Sequence, residues 1–438
     1  MPEKQLTTRW IYYLFFIFPG FLLILDLMLL GSGFWSEPLG LPVRKILFAI
    51  VCIYSIIYWI PLFLDRIFEY IAVLGLMIFI TIWCLLIPLM KDVGLEGALS
   101  DAQLFLGLLF APAIYSVIEN KGCWKKTSSF IFKTALLLAL FHIFVGLFDL
   151  VFPESTSQLV DVIKSVLEPL RSEEETSVFI GYVGNYLRVF WGSSIYLLVG
   201  FYLAIKNLSV HGWVKSGVAL LSIAIAIFLT FTRGIILSLP LFLIMVFIFN
   251  KLLERSSNVF LFYFYFSIFL ILITVPVILL SDPSVLAWMG IGRDVSDDIR
   301  SEQMFSLLGT FERHFILGAG FGASADEIRS ESAPWSYEMS ILALCMKIGL
   351  IGIFFLVTVF LTFCLTKKDC HLDDRMRADF SRLAALTAVV VFCGNTNPYL
   401  FSMLGVGLFL FIYFEFRSLK PTLEIDKLTL ISSERFHS

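Results

Sequence analysis

Long runs of apolar residues, separated by short polar connections, repeat along most of this chain. A helix needs roughly 20 apolar residues to cross the ~30 Å hydrocarbon core of a bilayer, and runs close to that length recur throughout. We therefore predict an all-α, polytopic membrane protein with about twelve transmembrane helices, forming a single integral membrane domain over residues 1–438. The runs lie at 10–30, 43–64, 67–90, 104–118, 130–152, 187–205, 217–232, 234–250, 258–280, 339–366, 382–395 and 399–416.

The composition agrees with this class. Of the 438 residues, 59% are hydrophobic and 15% are charged, and the mean hydropathy is +0.90. A soluble domain of this length cannot bury so much apolar surface, so that class is excluded. Two runs are unusual in length. The run at 104–118 is short, and the run at 339–366 is long and contains Gly349 and Gly352, so either helix can be broken or tilted.

The placement of lysine and arginine predicts the orientation. With the N-terminus inside, most basic residues fall in inner segments, as the positive-inside rule requires. Both termini are then cytoplasmic, and 417–438 is a polar cytoplasmic tail. Two sizeable segments lie on the outer side, a smaller one at 153–186 and a larger one at 281–338.

The smaller outer segment contains an amphipathic stretch, SQLVDVIKSVLEPL. Its apolar residues recur at helical spacing and lie on one face of the predicted helix. Two interpretations stay open: a helix lying flat at the membrane interface, or a lid packed on other helices. The face consists of Leu159, Val162, Ile163, Val166 and Leu167.

The larger outer segment, 281–338, mixes Trp, Phe and Gly with paired charges, which favours an ordered loop over an active site. It carries Arg300 and Arg313, and its only histidine is His314. A lone histidine is more often structural than catalytic. The GAGFG run at 318–322 lacks the strand and helix that bracket a dinucleotide cradle, so its glycines are expected to let the backbone turn sharply.

Two further arginines lie at predicted outer ends of spans. Arg188 stands in GNYLRVFWGSS at the start of one span, and Arg233 stands in FLTFTRGIILSL between two spans. An arginine there is costly without a partner. It can snorkel to lipid headgroups, or it can form forked contacts with a phosphate.

Glu338 ends the outer loop in the run Trp335, Ser336, Tyr337, Glu338. It can stabilise the helix dipole of the following span, or it can act as a general base. Trp335 and Tyr337 can stack on sugar rings. No histidine or cysteine spacing typical of a metal site is present, so no metal and no cofactor are expected.

Several of these pieces together resemble the O-antigen polymerase and O-antigen ligase superfamily of bacterial membrane glycosyltransferases. FTRG resembles that superfamily's Ser/Thr-Arg-Gly motif, and LRVFWGSS resembles an arginine-bearing span start. The stretch from Arg300 through FERHFILGAGFG resembles its long outer loop, and YEMSILALCMKIGLIG resembles the entry into the next span. The resemblance covers roughly 185–355, with the pieces in the expected order.

This resemblance implies a GT-C-like, metal-independent glycosyltransferase in the bacterial inner membrane, with a periplasmic active site. The donor would be an oligosaccharide on undecaprenyl diphosphate, and the acceptor a sugar hydroxyl on another lipid-linked repeat unit. Arg188 and Arg233 would bind the diphosphate with help from Arg300, and Glu338 would stand beside the acceptor hydroxyl. Membrane lipid is an expected partner and nucleic acid is not. The sequence leaves open whether a chain-length regulator protein binds.

The chain also departs from the superfamily's pattern. Phe315 replaces a common proline, and Glu338 occupies a position where ligases carry a histidine, which favours a polymerase. A ligase that transfers the glycan to lipid A core or to protein is the first alternative. A transporter or flippase for a lipid-linked glycan is the second, and it would predict charges buried in mid-span and inverted repeats.

Overall fold

The computed structural model describes residues 10–30, 43–62, 64–167, 178–183, 186–211, 213–255, 295–328, 330–331, 333–365, 374–395 and 400–419. The predicted span at 258–280 and most of the predicted tail lie outside these residues.

Five apolar helical stretches come first along the chain: α1 (Trp10–Leu29), α2 (Val43–Leu62), α3 (Leu64–Met90), α4 (Leu95–Asn120) and α5 (Trp124–Val151). Within α4 the helix is interrupted at Phe110, just before Pro112, which has no N–H to donate. The remaining described elements are α6 (Thr156–Leu167), β1 (Val178–Val183), β2 (Tyr186–Trp191), α7 (Tyr196–His211), α8 (Trp213–Leu229), α9 (Arg233–Arg255), α10 (Val295–Arg313), α11 (Ser340–Leu365), α12 (Asp374–Gly394) and α13 (Met403–Ser418).

Seven helices in the described part of the chain are long and apolar enough to cross a membrane, namely α1 to α5, α9 and α11. Two shorter apolar helices, Gly192–Leu208 and Val214–Leu229, accompany them. The prediction of a mostly helical, polytopic membrane protein is confirmed at this level. The number of about twelve spans stays a prediction.

A short antiparallel hairpin corrects one predicted span. The sequence predicts a helix from residue 187, but β2 occupies Tyr186–Trp191 and pairs with β1, with Gly181 opposite Arg188. Leu187, Val189 and Trp191 are buried at alternate positions, which is the period of a strand. Arg188 therefore lies in a strand, and the fold is not purely helical.

Helix α6 packs on this hairpin. Val160 is buried in a cluster with hairpin residues, and Ile163 packs against the same cluster. Val162 is exposed. This part of the segment 153–186 therefore packs on the hairpin through one side and exposes the other.

Ion pairs and hydrogen bonds identify the two ends of the bundle. Near the start of α3, Arg66 pairs with Glu119 at the end of α4, and Glu69 pairs with Arg417 at the end of α13. Just beyond the opposite end of α3, Lys91 Nζ donates to the carbonyl of Gly318 (2.9 Å). We call the end of the bundle that contains Lys91 the site end.

Candidate functional site

Three residues, Thr230, Phe231 and Thr232, connect α8 to α9. Thr230 Oγ1 donates to Ile227 O (2.7 Å) and accepts from Thr232 N (3.3 Å), while Phe231 has a left-handed backbone with φ 44°. Arg233 is the first residue of α9 and is exposed. A cation at the amino end of a helix is disfavoured by the helix dipole, so local helix stability does not explain this arginine.

Arg188 extends from β2 to the same turn. Its Nε donates to Thr230 O (3.2 Å), its Nη2 lies 3.5 Å from Thr232 Oγ1, and its guanidinium lies 5.1 Å from the centre of the Phe190 ring. The two arginines predicted to bind one diphosphate thus belong to one small region, because Arg188 contacts the residues immediately before Arg233.

The carboxyl end of α12 joins this region to the start of α11. Cys393 Sγ donates to Gly234 O (3.5 Å), and Asn395 Oδ1 accepts from Ile341 N (3.1 Å). Asn395 Nδ2 also donates to Val391 O (3.3 Å), which fixes the amide on its own helix. The starts of α9 and α11 therefore meet at the end of α12.

Glu338 lies two residues before the start of α11 and is half-buried. It therefore lies just outside the first turn of that helix. Its carbonyl accepts from Ser340 N (2.9 Å). The Ser340 hydroxyl is buried and has no hydrogen-bond partner among the described protein groups. The predicted catalytic residues Arg188, Arg233 and Glu338 are thus arranged around the carboxyl end of α12.

The loop before α11 completes the hydrogen bonding of a broken helix. At Gly349 the backbone leaves helical geometry (φ 62°, ψ −173°), so of the two possibilities predicted for this long span, broken or tilted, the structure shows a break. Ala319 N and Gly320 N donate to the carbonyls of Met346 and Lys347 (2.9 and 2.8 Å). Two N–H groups just past the break donate back to loop carbonyls (2.8 and 3.1 Å). The loop is therefore part of the bundle.

The glycines of this loop act as turning points, as predicted. Gly318, Gly320 and Gly322 have φ of 78°, 93° and 78°, a region that disfavours side chains. Their N–H groups donate to His314 O, to Lys347 O and to Asp101 Oδ2. Because all three donors are used inside the protein, they are not offered to a phosphate.

A buried ion pair, Lys347 with Asp101, anchors the loop, and sequence reasoning missed both residues. Lys347 Nζ lies 2.6 Å from Asp101 Oδ2, with side-chain exposures of 3% and 6%. Lys347 also donates to Trp335 O (2.7 Å), and Asp101 accepts from Gly322 N (2.7 Å). The available signal was one lysine inside an apolar run and one aspartate just before another, since charges at such positions are rarely incidental.

Arg313 ends α10 at the site end, and His314 follows it. Arg313 is exposed and donates to Asp326 Oδ2 (2.7 Å) and Thr310 Oγ1 (2.9 Å). Lys91 Nζ lies 3.2 Å from His314 Nδ1. Burial, together with the charges of Lys91 and Arg313, lowers the pKa of His314, and burial lowers the pKa of Lys91. The lowered pKa favours the neutral imidazole, whose Nδ1 can then accept from the lysine.

The remaining predicted site residues differ in their solvent exposure. Tyr337 is 2% exposed, and its hydroxyl accepts from Ala325 N (2.7 Å). The prediction that Tyr337 stacks on a sugar ring is therefore wrong, because an enclosed ring has no free face. Trp335 is half-buried with its ring against Gly97. Arg300 belongs to α10, and its side chain lies outside the described part of the structure.

The groups available for chemistry at the site end are the guanidinium groups of Arg188 and Arg233 and the half-buried carboxylate of Glu338. Guanidinium groups bind phosphate oxygens through paired N–H donors, and a half-buried carboxylate can accept a proton. Within the described ranges, no three His, Cys, Asp or Glu side chains are grouped as metal ligands would be. Comparisons with protein-family models, with curated proteins and with solved structures gave no match for this chain.

Proposed function

We propose that this protein is a surface-polysaccharide polymerase of the O-antigen type, acting at the periplasmic face of the bacterial inner membrane. It would transfer a glycan from undecaprenyl diphosphate to a sugar hydroxyl of another lipid-linked repeat unit. The sequence resemblance to that superfamily over roughly 185–355 is one support. The other support is the arrangement of Arg188, Arg233 and Glu338 at the site end.

The observation that carries the proposal is the contact of Arg188 with the turn that precedes Arg233. Arg188 Nε donates to Thr230 O (3.2 Å), although the two residues come from a strand and a helix connection. Two guanidinium groups in one region, one of them at an unfavourable helix end, suit a ligand that carries more than one negative charge. A diphosphate is such a ligand.

In the proposed reaction the anomeric carbon of the donor sugar exchanges one oxygen for another. The bond to the diphosphate oxygen breaks, and its electron pair leaves with the diphosphate. The bond to the acceptor hydroxyl oxygen forms, and the hydroxyl proton passes to the Glu338 carboxylate. Arg188 and Arg233 stabilise the charge that develops on the leaving group, which is commonly the largest single contribution to catalysis.

The alternative of a ligase shares this chemistry and differs only in its acceptor. Glu338, where ligases of the resembled superfamily carry histidine, favours the polymerase. Loss of a polymerase would leave single repeats attached to the core, whereas loss of a ligase would leave long chains on the carrier lipid. An electrophoretic ladder of surface glycan from a deletion strain distinguishes the two.

A flippase is the alternative from another class, and two observations favour it: the break in α11 and the buried charges of Lys347 and Asp101. Transporters use broken helices whose free backbone groups bind substrate or ions. Here the loop residues donate to the Met346 and Lys347 carbonyls before the break, so those groups are already bonded. This speaks against transport through the break.

The test is replacement of Arg233 by alanine in a complemented deletion strain. We expect the ladder to collapse to single repeats, since removing one preorganised donor to a developing charge typically costs about 10²–10³ in rate. The matched control is Arg375→Ala, because Arg375 is an exposed arginine near the start of α12, at the opposite end of that helix.

The result must be read at equal protein level. The membrane abundance of the variant and its monodispersity in detergent should match those of the unsubstituted chain. Arg233→Lys keeps the positive charge but cannot form the bidentate contact of a guanidinium, so it should retain partial polymerisation. A normal ladder from folded Arg233→Ala protein would reject the diphosphate role.

A further inference from the structure

Between α11 and α12 lies a long apolar slot of about 420 Å³. These helices follow one another along the chain, yet they touch at few points, and α4 and α13 close the slot from the other side. Its lining includes Ile341 and Leu356 from α11, and Leu383 and Thr387 from α12. The lining is apolar almost throughout, so water and ions are poorly suited to fill it.

The slot runs along nearly the whole of α11. Its lining begins at Ile341 and, beyond the break at Gly349, still includes Phe363, a separation of at most about 33 Å at 1.5 Å per residue. The hydrocarbon core of a bilayer is ~30 Å thick, so one leaflet is about half as deep as the slot is long. A lipid chain that fills it must be longer than the acyl chains of one leaflet.

One end of the slot lies at the cationic region. Ile341 lines the slot, and its N–H donates to Asn395 Oδ1 (3.1 Å). Cys393, two residues before Asn395, contacts the carbonyl of Gly234, which is the neighbour of Arg233. A molecule in the slot would therefore have its apolar part between the helices and its head beside arginine. The complementary ligand has an anionic head and one long apolar chain.

We propose that the slot binds the isoprenoid tail of the lipid-linked substrate, with the diphosphate at the site end. This inference rests on the proposed function, which supplies the donor class, and adds where the tail lies. A single polyprenyl chain extends beyond one leaflet, whereas a phospholipid has two shorter chains. The slot thus selects the carrier lipid by the length and number of its chains.

The experiment uses the full chain in vesicles of phosphatidylethanolamine and phosphatidylglycerol. The probe is an undecaprenyl phosphate analogue with a photoreactive diazirine near the far end of its tail, and it carries no sugar. Labelled peptides are mapped by mass spectrometry. We expect labelling on α11 and α12, competition by unlabelled undecaprenyl phosphate, and no competition by added phosphatidylglycerol.

A pair of substitutions on α11 sharpens the assignment. Leu356→Trp adds bulk inside the slot and should reduce labelling about tenfold, since a filled apolar site leaves no room for the tail. Phe354→Trp is the control, because Phe354 is 65% exposed and lies outside the lining. Should Leu356→Trp fail to fold, Thr387→Phe places the added bulk on α12 instead.

Labelling confined to residues that do not line the slot would overturn the proposal. So would equal competition by phosphatidylglycerol, which would make the slot a site for bulk lipid. Because the probe carries no sugar, it reports where the lipid tail binds and does not report glycan transfer. Slot labelling with a normal ladder from Arg233→Ala would reject the proposed function alone, and a collapsed ladder without slot labelling would reject the slot alone.

Discussion

Replacing Lys347 by methionine tests whether the buried ion pair anchors the loop before α11. Lys347 and Asp101 are 3% and 6% exposed, with 2.6 Å between Nζ and Oδ2. Methionine keeps the length of the lysine stem and removes its charge. The Asp101 carboxylate would then be buried with Gly322 N as its remaining donor in this cluster. Breaking a buried pair by removing one partner typically costs about 3–5 kcal/mol.

The double variant Lys347→Met/Asp101→Leu removes both charges and so avoids an uncompensated one. It still leaves Gly322 N and Trp335 O without the partners that they have now. Each lost partner of a buried backbone group costs about 1–3 kcal/mol. We therefore expect the double variant to cost about as much as either single change, far less than their sum.

The assay is thermal denaturation of the purified chain in mild detergent, with Lys126→Met, an exposed lysine near the start of α5, as control. For a chain of 438 residues, with about 2.1 cal/mol/K of unfolding entropy per residue, a loss of ~4 kcal/mol corresponds to a fall in Tm of roughly 4 °C. A double variant as unstable as the sum of the singles would show that Lys347 and Asp101 act independently. An unchanged Tm for Lys347→Met would show that the pair does not anchor the loop.

Three further outcomes are expected. Gly349→Ala should lower Tm strongly and reduce polymer, because φ is 62° there and a Cβ would stand 2.6 Å from Ile316 O; wild-type stability would refute this. The lowered pKa of His314 makes its neutral form the stable one, so stability present above roughly pH 6.5 should fall as pH drops toward the folded-state pKa. His314→Gln should flatten that slope in a series of Tm measurements. Glu338→Gln should slow transfer about 100-fold or more if Glu338 is the base, whereas a pure helix-end role predicts about 1 kcal/mol of lost stability and normal turnover.

Much of the helical layout could be predicted from local pattern. The run at 10–30 is α1, the run at 43–64 is α2, and the glycine pair at 339–366 marks a real break. These features depend on hydrophobic runs and on backbone freedom, which neighbouring residues in sequence determine. The same local reasoning wrongly made residue 187 the start of a helix. There a strand formed because β1 was available to pair with it.

The candidate site likewise has residues that the sequence could predict and contacts that it could not. Arg188, Arg233 and Glu338 were each predicted from the sequence separately, as charged residues at the ends of apolar runs. The sequence provided no means of knowing that Arg188 bonds the turn before Arg233, since that contact depends on how separate elements pack. The buried pair of Lys347 and Asp101 was invisible for the same reason: a charge inside an apolar run shows that a partner is needed, but not which one.

The amino-acid sequence alone determined that this is a mostly helical membrane protein with arginines at the ends of apolar runs, because hydrophobicity and glycine act locally along the chain. Only the tertiary structure decided that the loop before α11 supplies the hydrogen bonds missing at the break, and that an apolar slot opens beside Asn395. Those features are formed by surfaces from distant segments, and their fit exists only once the helices have packed.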